Sequence, residues 1–167
     1  MGLLGFLKKE SAPPQITFPA QLGAVTKGRF VPMEQIPDDV FSAGVLGVCC
    51  GIEPEEGRVY APIDAVVSQR TDTNHAIGLQ AGGMELLVHV GVDTVEMNGN
   101  GFATLVKEGA SVKKGDLLLT MDLDKIRAAG HPATVILAVT NSDDFAAVEP
   151  VGADDLAAGD PMLRVSR

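Results

Sequence analysis

The chain has few aromatic residues and no excess of positive charge. It contains no tryptophan and one tyrosine, and aromatic residues make up 4% of its 167 residues. Its 13 lysines and arginines are outnumbered by 22 acidic residues, which gives a formal net charge of -9. Nucleic-acid binding needs a basic patch that neutralises phosphates. The composition therefore excludes nucleic acid as an expected partner.

Cysteine is also scarce, with two residues that are adjacent in sequence, Cys49 and Cys50. Neighbouring cysteines rarely form a disulfide because the ring that they close is strained. The pair does not have the spacing of a zinc site built from cysteines. We therefore expect two reduced thiols that pack as small hydrophobic side chains in a cytoplasmic protein.

Long apolar runs are missing from the N-terminus as well. Residues 3–9 hold four large apolar side chains followed by two lysines, a stretch too short for a signal peptide or a membrane span. The apolar side chains can share one helix face, a pattern typical of weak contact with a membrane surface. We expect residues 1–14 to be a flexible or membrane-surface amphipathic segment with a linker. Residues 15–167 are expected to form one domain, located in the cytoplasm or peripherally at the inner face of the cell membrane.

Glycine and proline, in contrast, are abundant and spread along the chain, with 19 and 10 residues. They separate short apolar segments, which favours an all-β architecture. Strands are predicted at 15–18, 65–69, 117–121, 134–140 and 162–165. One short helix is predicted at 123–129, between Asp122 as N-cap and Gly130, and a single turn at 37–41. The prediction is an antiparallel β-sandwich with one or two short helices.

Two weak internal repeats support related strand units. Residues 28–32 resemble 57–62, and residues 109–118 recur as 152–163, where Gly-Asp precedes a new strand. Both copies of the second repeat are predicted to be tight β-turns.

The most informative segment is 73–94, which holds two of the three histidines, His75 and His89, in apolar runs joined by Ala-Gly-Gly. If the turn is centred on Gly82, residue 75 faces residue 89 across an antiparallel hairpin. Such neighbours have Cβ atoms about 4.5 to 5.5 Å apart, so both rings can reach one phosphorus or metal ion. Two close imidazoles disfavour joint protonation, which keeps the pair mostly neutral.

Each histidine also has a simpler interpretation. A single histidine in an apolar strand is usually a half-buried residue bonded to a backbone carbonyl. A register shifted by one residue would place the two rings on opposite faces of the sheet. The third histidine, His131, follows the predicted helix and is expected to be a solvated cap residue.

The chain resembles the glucose-type enzyme IIA component of the bacterial phosphoenolpyruvate-dependent sugar phosphotransferase system, in its free-standing phosphocarrier form. The resemblance runs from residue 1 to the C-terminus. It is carried by residues 36–41, 60–64, 73–76, 86–95 and 98–102. It implies an all-β sandwich of the barrel-sandwich hybrid type, with a shallow apolar depression that carries both histidines.

The resemblance also implies roles for four residues. His89 would accept a phosphoryl group on Nε2 from the carrier HPr and pass it to a cysteine of a sugar-specific IIB domain. His75 would stabilise the phosphoryl group, and Thr73 would orient His75. Asp93 would hold an arginine of a partner or orient the loop after His89; the alternative interpretation is a simple turn residue.

Apolar residues of the family's partner surface are matched here by Val40, Phe41, Val45, Leu87 and Val95, for which core packing is the alternative interpretation. We expect that no cofactor is required and that zinc can bind at His75 and His89 as an adventitious or regulatory ion. We also expect a monomer whose partners are HPr, a IIB domain and regulatory targets. The chain departs from many relatives at 47–51 and at Thr71, where family members often have an aromatic residue.

Two other function classes compete with this one. A zinc hydrolase would use His75, His89 and Asp93 around one metal ion, but the chain lacks the His-x-His pair typical of sandwich-fold peptidases. A swinging-arm carrier would be modified at Lys125, because residues 112–117 and 122–125 resemble parts of biotinyl and lipoyl domains. The helix signals around Lys125 count against that hypothesis.

Overall fold

The protein is described by a computed structural model of residues 12–167. The predicted amphipathic segment at 1–9 lies outside the described residues. The described chain forms fourteen strands: β1 (Ala20–Gly23), β2 (Gly28–Val31), β3 (Val48–Pro54), β4 (Arg58–Tyr60), β5 (Ala65–Arg70), β6 (Ala76–Ala81), β7 (Met84–Val90), β8 (Phe102–Thr104), β9 (Ser111–Val112), β10 (Leu117–Met121), β11 (Val135–Val139), β12 (Ala147–Pro150), β13 (Asp155–Leu156) and β14 (Pro161–Ser166). Its α-helices are Asp39–Ser42 and Leu123–Ala128, and its 3₁₀ turns are Met33–Gln35, Thr94–Met97 and Ser142–Asp144.

The strands form three antiparallel sheets. An eight-stranded sheet has the order β13-β2-β3-β11-β7-β6-β5-β9, and the two three-stranded sheets have the orders β1-β14-β12 and β4-β10-β8. Every strand pair described is antiparallel. The predicted all-β antiparallel sandwich with short helices is confirmed.

Strand β11 is buried along its whole length because both of its faces are covered. One face packs into the main core, and the other packs Ile136 and Ala138 into a second apolar cluster with Ile36, Phe41 and Cys49. The sequence reflects this, since the strand is a continuous apolar run without alternation. The second cluster lies on the same face of the sheet as Leu87 and His89, because Ala138 pairs with Leu87 and Ile136 with His89 across the strands.

Both helix predictions are confirmed, with small differences in their bounds. The carboxylate of Asp122 accepts a hydrogen bond from the Lys125 backbone N–H at 3.1 Å, and Gly130 has φ 85° beyond the helix end. The turn predicted at 37–41 is a helix of four residues, Asp39–Ser42, capped by Asp38. Lys125 therefore lies in a helix and not at the hairpin tip that a swinging-arm carrier presents.

The strand predicted at 15–18 is absent from the described chain. Prolines on both sides of this segment supply no backbone N–H for a ladder. The segment docks instead through Phe18, whose ring stacks on Phe145 at 5.6 Å between centroids, with the Arg167 guanidinium 4.4 Å from the Phe18 ring centroid. The Gly82 N–H also donates to the Pro14 carbonyl at 2.9 Å.

The longer internal repeat is confirmed as two matching β-turns. The Asp116 carboxylate accepts from the Lys113 backbone N–H at 2.8 Å, and the Asp160 carboxylate accepts from the Ala157 N–H at 2.8 Å. Both glycines in these turns are left-handed, with φ 90° and 91°. Each turn leads directly into a strand, β10 or β14.

Candidate functional site

The hairpin of β6 and β7 has a register that differs by one residue from the predicted one. Its turn consists of two residues, Gly82 and Gly83, with φ 54° and 81°. Such a primed two-residue turn pairs Ala81 with Met84, and the register then pairs Ala76 with His89. The prediction that residue 75 faces residue 89 was wrong, because the turn is centred between the two glycines and not on Gly82.

The two histidine rings are nevertheless adjacent, with centroids 5.0 Å apart and planes at 84°. Strand β6 begins at Ala76, and the preceding Asn74 is left-handed with φ 60°. The alternation of side chains between faces therefore stops before His75. The turn that precedes the strand places the His75 ring on the same face as His89.

The His75 ring is fixed by hydroxyl groups on its own loop. Thr73 Oγ1 lies 2.6 Å from His75 Nδ1, and Thr71 Oγ1 lies 3.3 Å from the same nitrogen. We assign the Thr73 hydroxyl as the donor, which leaves the ring proton on Nε2. Thr73 thus has the contact that the resemblance implied, and His75 is 6% exposed.

His89 lies between His75 and Phe41, whose ring centroid is 5.1 Å from its own. Nδ1 of His89 is buried and has no hydrogen bond of ordinary geometry among the described residues. The exposed part of this half-buried residue therefore lies away from Nδ1.

Burial, together with the smaller effect of the neighbouring His75, lowers the pKa of His89 to about 4. The Gly91 backbone and the carboxylates of Asp38 and Asp93 oppose this effect. Burial also lowers the pKa of His75. At neutral pH the site therefore presents two neutral imidazoles, and His89 is available as a nucleophile.

Four exposed apolar side chains, Val40, Val45, Leu46 and Val95, are called the apolar rim. They lie on the helix Asp39–Ser42, whose Phe41 contacts His89, on the loop after it and on the 3₁₀ turn after β7. Val45 is 68% exposed and Val95 is 51% exposed. Of the predicted partner residues, Phe41 is instead buried against His89 and Leu87 packs on the second cluster. Leu46 was not among the predicted partner residues, because no sequence feature distinguishes this exposed leucine from a leucine of the core.

Two carboxylates stand beside the site. Asp93 is exposed and left-handed with φ 60°, and its side chain caps no backbone group of the 3₁₀ turn that it precedes. Asp38 was missed in the sequence; its carboxylate accepts from the backbone N–H of Val40 and Phe41 at 2.9 and 3.0 Å. The sequence feature that could have predicted this N-cap is the aspartate directly before the short helix.

The site lacks the ligand set of a zinc enzyme. Across residues 12–167, no group of three or more histidine, cysteine or acidic side chains is placed to hold a metal ion. Catalytic zinc uses three protein ligands and an open position. His75 and His89 supply two, and Asp93 does not join them as a third ligand.

A separate cleft lies away from the histidines. It has a volume of about 750 Å³ and is bordered by the loop before β4, by β8, by the end of β10 and by the helix Leu123–Ala128. Its side chains include Glu55, Glu56, Asp122 and Arg127, and it contains no histidine. The paired imidazoles therefore lie outside this cleft.

The lowered pKa of His89 predicts how stability depends on pH. Above pH 6.5 the ring is neutral in both folded and unfolded chains, so its contribution is complete. As the pH falls from 6.5 to about 4, the unfolded chain takes up a proton that the folded site resists, and the free energy of unfolding decreases by at most about 3 kcal/mol. Urea denaturation between pH 7 and 4.5 measures this. His89→Gln is expected to flatten the dependence, and His131→Gln to retain it; equal slopes for wild type and His89→Gln would contradict the prediction.

Comparisons with known proteins agree with this geometry. Residues 20–145 match the family described as phosphoenolpyruvate-dependent sugar phosphotransferase system, EIIA 1. The glucose-specific EIIA component of Halalkalibacterium halodurans is 36% identical over 93% of this chain and 89% of its own length. Glucose permease IIA from Mycoplasma capricolum superposes with a TM-score of 0.77 at 28% identity, covering 87% of this chain and 94% of that one.

Other relatives are longer proteins. The beta-glucoside-specific EIIBCA component of Dickeya chrysanthemi is 42% identical over 83% of this chain, which corresponds to 22% of that protein. The chain spans about a fifth of the length of such multidomain relatives. None of the helices in residues 12–167 is long and apolar enough to cross a membrane. The chain belongs to the EIIA 1 family of the phosphoenolpyruvate-dependent sugar phosphotransferase system and is an EIIA domain of that system.

Proposed function

We propose that His89 accepts a phosphoryl group from phosphohistidine on HPr and passes it to a cysteine of a sugar-specific IIB domain during sugar uptake. The observation that supports this most strongly is the contact between two neutral imidazoles, 5.0 Å apart, of which one is held by Thr73 and the other has an exposed edge. Membership of the EIIA family supplies the reaction class.

In the uptake step, the Nε2 lone pair of His89 forms a bond to phosphorus while the N–P bond to the donor histidine breaks. The donor ring keeps that electron pair. The Nδ1 proton of His89 stays on the buried side of the ring, so the neutral imidazole attacks through Nε2 and needs no general base. The transferring group is loosely bonded and negatively charged in the transition state, so positioning and electrostatics carry the catalysis.

His75 supplies the electrostatic part. With Thr73 donating to Nδ1, the Nε2–H of His75 is free to donate to an oxygen of the phosphoryl group on His89. As negative charge arrives, the pKa of His75 rises from its lowered value, and the ring can take up a second proton. This response distinguishes an imidazole from a fixed amide donor.

In the onward step, a thiolate of the IIB domain attacks phosphorus, a P–S bond forms, and the N–P bond breaks with its electron pair returning to His89 Nε2. The neutral site is restored without a cofactor. Water competes with the thiolate, so a dry contact is needed around the reacting atoms. The apolar rim is suited to seal this contact against each partner in turn. Asp93, and Asp38 beside it, are proposed to meet basic side chains of the partners.

Replacing Val45 with aspartate is expected to weaken docking, because the change puts a charge on the most exposed member of the apolar rim. Burying an unpaired charge in an interface is costly, and we expect phosphoryl uptake at limiting phospho-HPr to slow about tenfold. Initial rates over a range of HPr concentrations measure this. Leu105→Asp is the matched control, since Leu105 is 53% exposed outside the rim; equal slowing in both variants would exclude a specific role for the rim.

Three further properties are proposed with this function. The reaction runs in the cytoplasm, which agrees with two buried cysteines that remain free thiols. The domain works as a monomer that exposes one face to successive partners, including regulatory targets. Zinc at His75 and His89 would need further ligands from such a partner, because these residues supply two.

The test is the intact mass of the purified protein after incubation with phosphoenolpyruvate, enzyme I and HPr. One acid-labile phosphoryl group per chain is expected, with none when HPr is omitted, and it should be lost on addition of a IIB domain. Addition of a chelator should leave labelling unchanged. No mass increment in the complete mixture, or labelling that requires zinc, would overturn the proposal.

A further inference from the structure

Thr71 forms more hydrogen bonds to the segment around His75 than Thr73 does. Its hydroxyl oxygen accepts from the backbone N–H of His75 at 3.2 Å and from that of Ala76 at 3.2 Å. The same hydroxyl lies 3.4 Å from the Ala76 carbonyl oxygen and 3.3 Å from His75 Nδ1. The side chain of Thr71 thus binds the backbone at the exact point where β6 begins.

The hydrogen bonds of Thr71 lie at the residues whose backbone conformation determines to which face of the sheet the His75 ring points. Ala76 pairs with His89 across the hairpin, so these two residues share one face of the sheet. If β6 continued in an extended conformation for one more residue, His75 would point to the opposite face. The turn closed by Thr71 replaces that extended continuation, and the rings lie 5.0 Å apart on one face.

The hydroxyl groups of Thr71 and Thr73 have different hydrogen-bonding roles. A threonine hydroxyl has one proton and two lone pairs. Both lone pairs of Thr71 receive amide protons from buried residues, so its own proton points to the Ala76 carbonyl. The hydroxyl of Thr73 is then the group left to donate to His75 Nδ1 at 2.6 Å. Thr71 holds the backbone of His75, and Thr73 holds its ring.

The backbone also closes this turn without the side chain. The Thr71 N–H donates to the Ala76 carbonyl at 3.1 Å, and the Asn74 N–H donates to the Thr71 carbonyl at 3.1 Å. Removing only the hydroxyl therefore leaves these bonds in place. The expected effect is a local loss of definition at His75 and not a loss of the hairpin.

We propose that Thr71 is a positioning residue for phosphoryl transfer, acting through its hydroxyl on the backbone amides of His75 and Ala76. The proposal rests on the function proposed above, since His75 is the group that Thr71 positions. Its consequence is that the Nε2–H tautomer of His75 and the rate of onward transfer depend on a residue that touches no phosphoryl oxygen.

Thr71→Val removes the hydroxyl and keeps the branched shape, whereas Thr71→Ser keeps the hydroxyl. The first readout is the set of ring ¹⁵N chemical shifts of His75 in the unphosphorylated full chain, which reports the tautomer without any partner. Thr71→Val is expected to show a mixture of tautomers, and Thr71→Ser and the distant control Thr140→Val to match wild type. The second readout is onward transfer to a IIB domain, expected to slow roughly 10- to 100-fold in Thr71→Val and to be restored in Thr71→Ser.

A wild-type tautomer and wild-type transfer rate in Thr71→Val would overturn the proposal. So would a defect of equal size in Thr71→Ser, because this variant keeps the hydroxyl. The ¹⁵N measurement needs no phosphorylation, so it tests the positioning of His75 even if the phosphocarrier proposal fails. Failure of that proposal shows separately, as absence of labelling in the wild-type protein.

Discussion

His89→Ala is expected to abolish phosphoryl uptake from phospho-HPr. The variant lacks the nucleophile, and no substitute reaches the same place: His75 is 6% exposed and has its Nδ1 bonded to Thr73. Without a nucleophile the covalent route is closed, so the expected loss is complete within detection and not a change in rate. Intact mass after incubation with phosphoenolpyruvate, enzyme I and HPr measures this.

His131→Ala is the matched control for this variant. His131 is the third histidine of the chain, it follows the helix Leu123–Ala128, and it is partly exposed. It should label to the same extent as wild type. One phosphoryl group per chain in His89→Ala would contradict the assignment and move the acceptor to another side chain, which peptide mapping under neutral conditions would locate.

Much of the fold was predictable because local signals and tertiary packing agree. The bounds of β10 match the prediction, since its apolar run is isolated by the Gly115 turn before it and the Asp122 cap after it. The helix Leu123–Ala128 was predictable for the same reason. The segment 15–18 was not, because its apolar residues pack through Phe18 on Phe145 without forming a ladder.

The pairing of the histidines was predicted, but for a reason that the structure corrects. Turn length fixes register, and Ala-Gly-Gly allows a centre on Gly82 or between Gly82 and Gly83. The sequence contains no signal that separates the two. In the observed register, a strand β6 that began one residue earlier would place the two rings on opposite faces of the sheet. The left-handed Asn74 and the hydrogen bonds of the Thr71 hydroxyl prevent this earlier start.

The composition of the partner surface was harder to predict than the histidine pair. Val40, Phe41 and Val45 all look alike as apolar residues in sequence, yet Phe41 is buried beside His89 and the two valines are exposed. For Val40 and Phe41, the difference in burial depends on which side of a four-residue helix faces the second apolar cluster. A helix of that length carries no periodicity from which this side can be determined.

His75→Gln is expected to separate uptake from onward transfer. The nucleophile His89 is intact, and the glutamine amide keeps one neutral N–H donor, so the phosphoryl group should still accumulate to one per chain on prolonged incubation. Glutamine cannot take up a proton as charge builds on the transferring group, whereas the His75 imidazole can. We therefore expect transfer to a IIB domain to slow by about 10²- to 10³-fold, the size of effect that follows the loss of one electrostatic interaction made in the transition state.

Single-turnover transfer from the isolated phosphorylated variant to a IIB domain measures this effect, because it removes uptake from the rate. His131→Gln is the control with the same chemical change outside the site, and it should transfer at the wild-type rate. The double variant with His89→Ala should not be labelled, which would place the phosphoryl group of His75→Gln on His89. Transfer by His75→Gln at the wild-type rate would show that the second imidazole is not part of the relay, and its contact with His89 would then contribute to packing and to the lowered pKa alone.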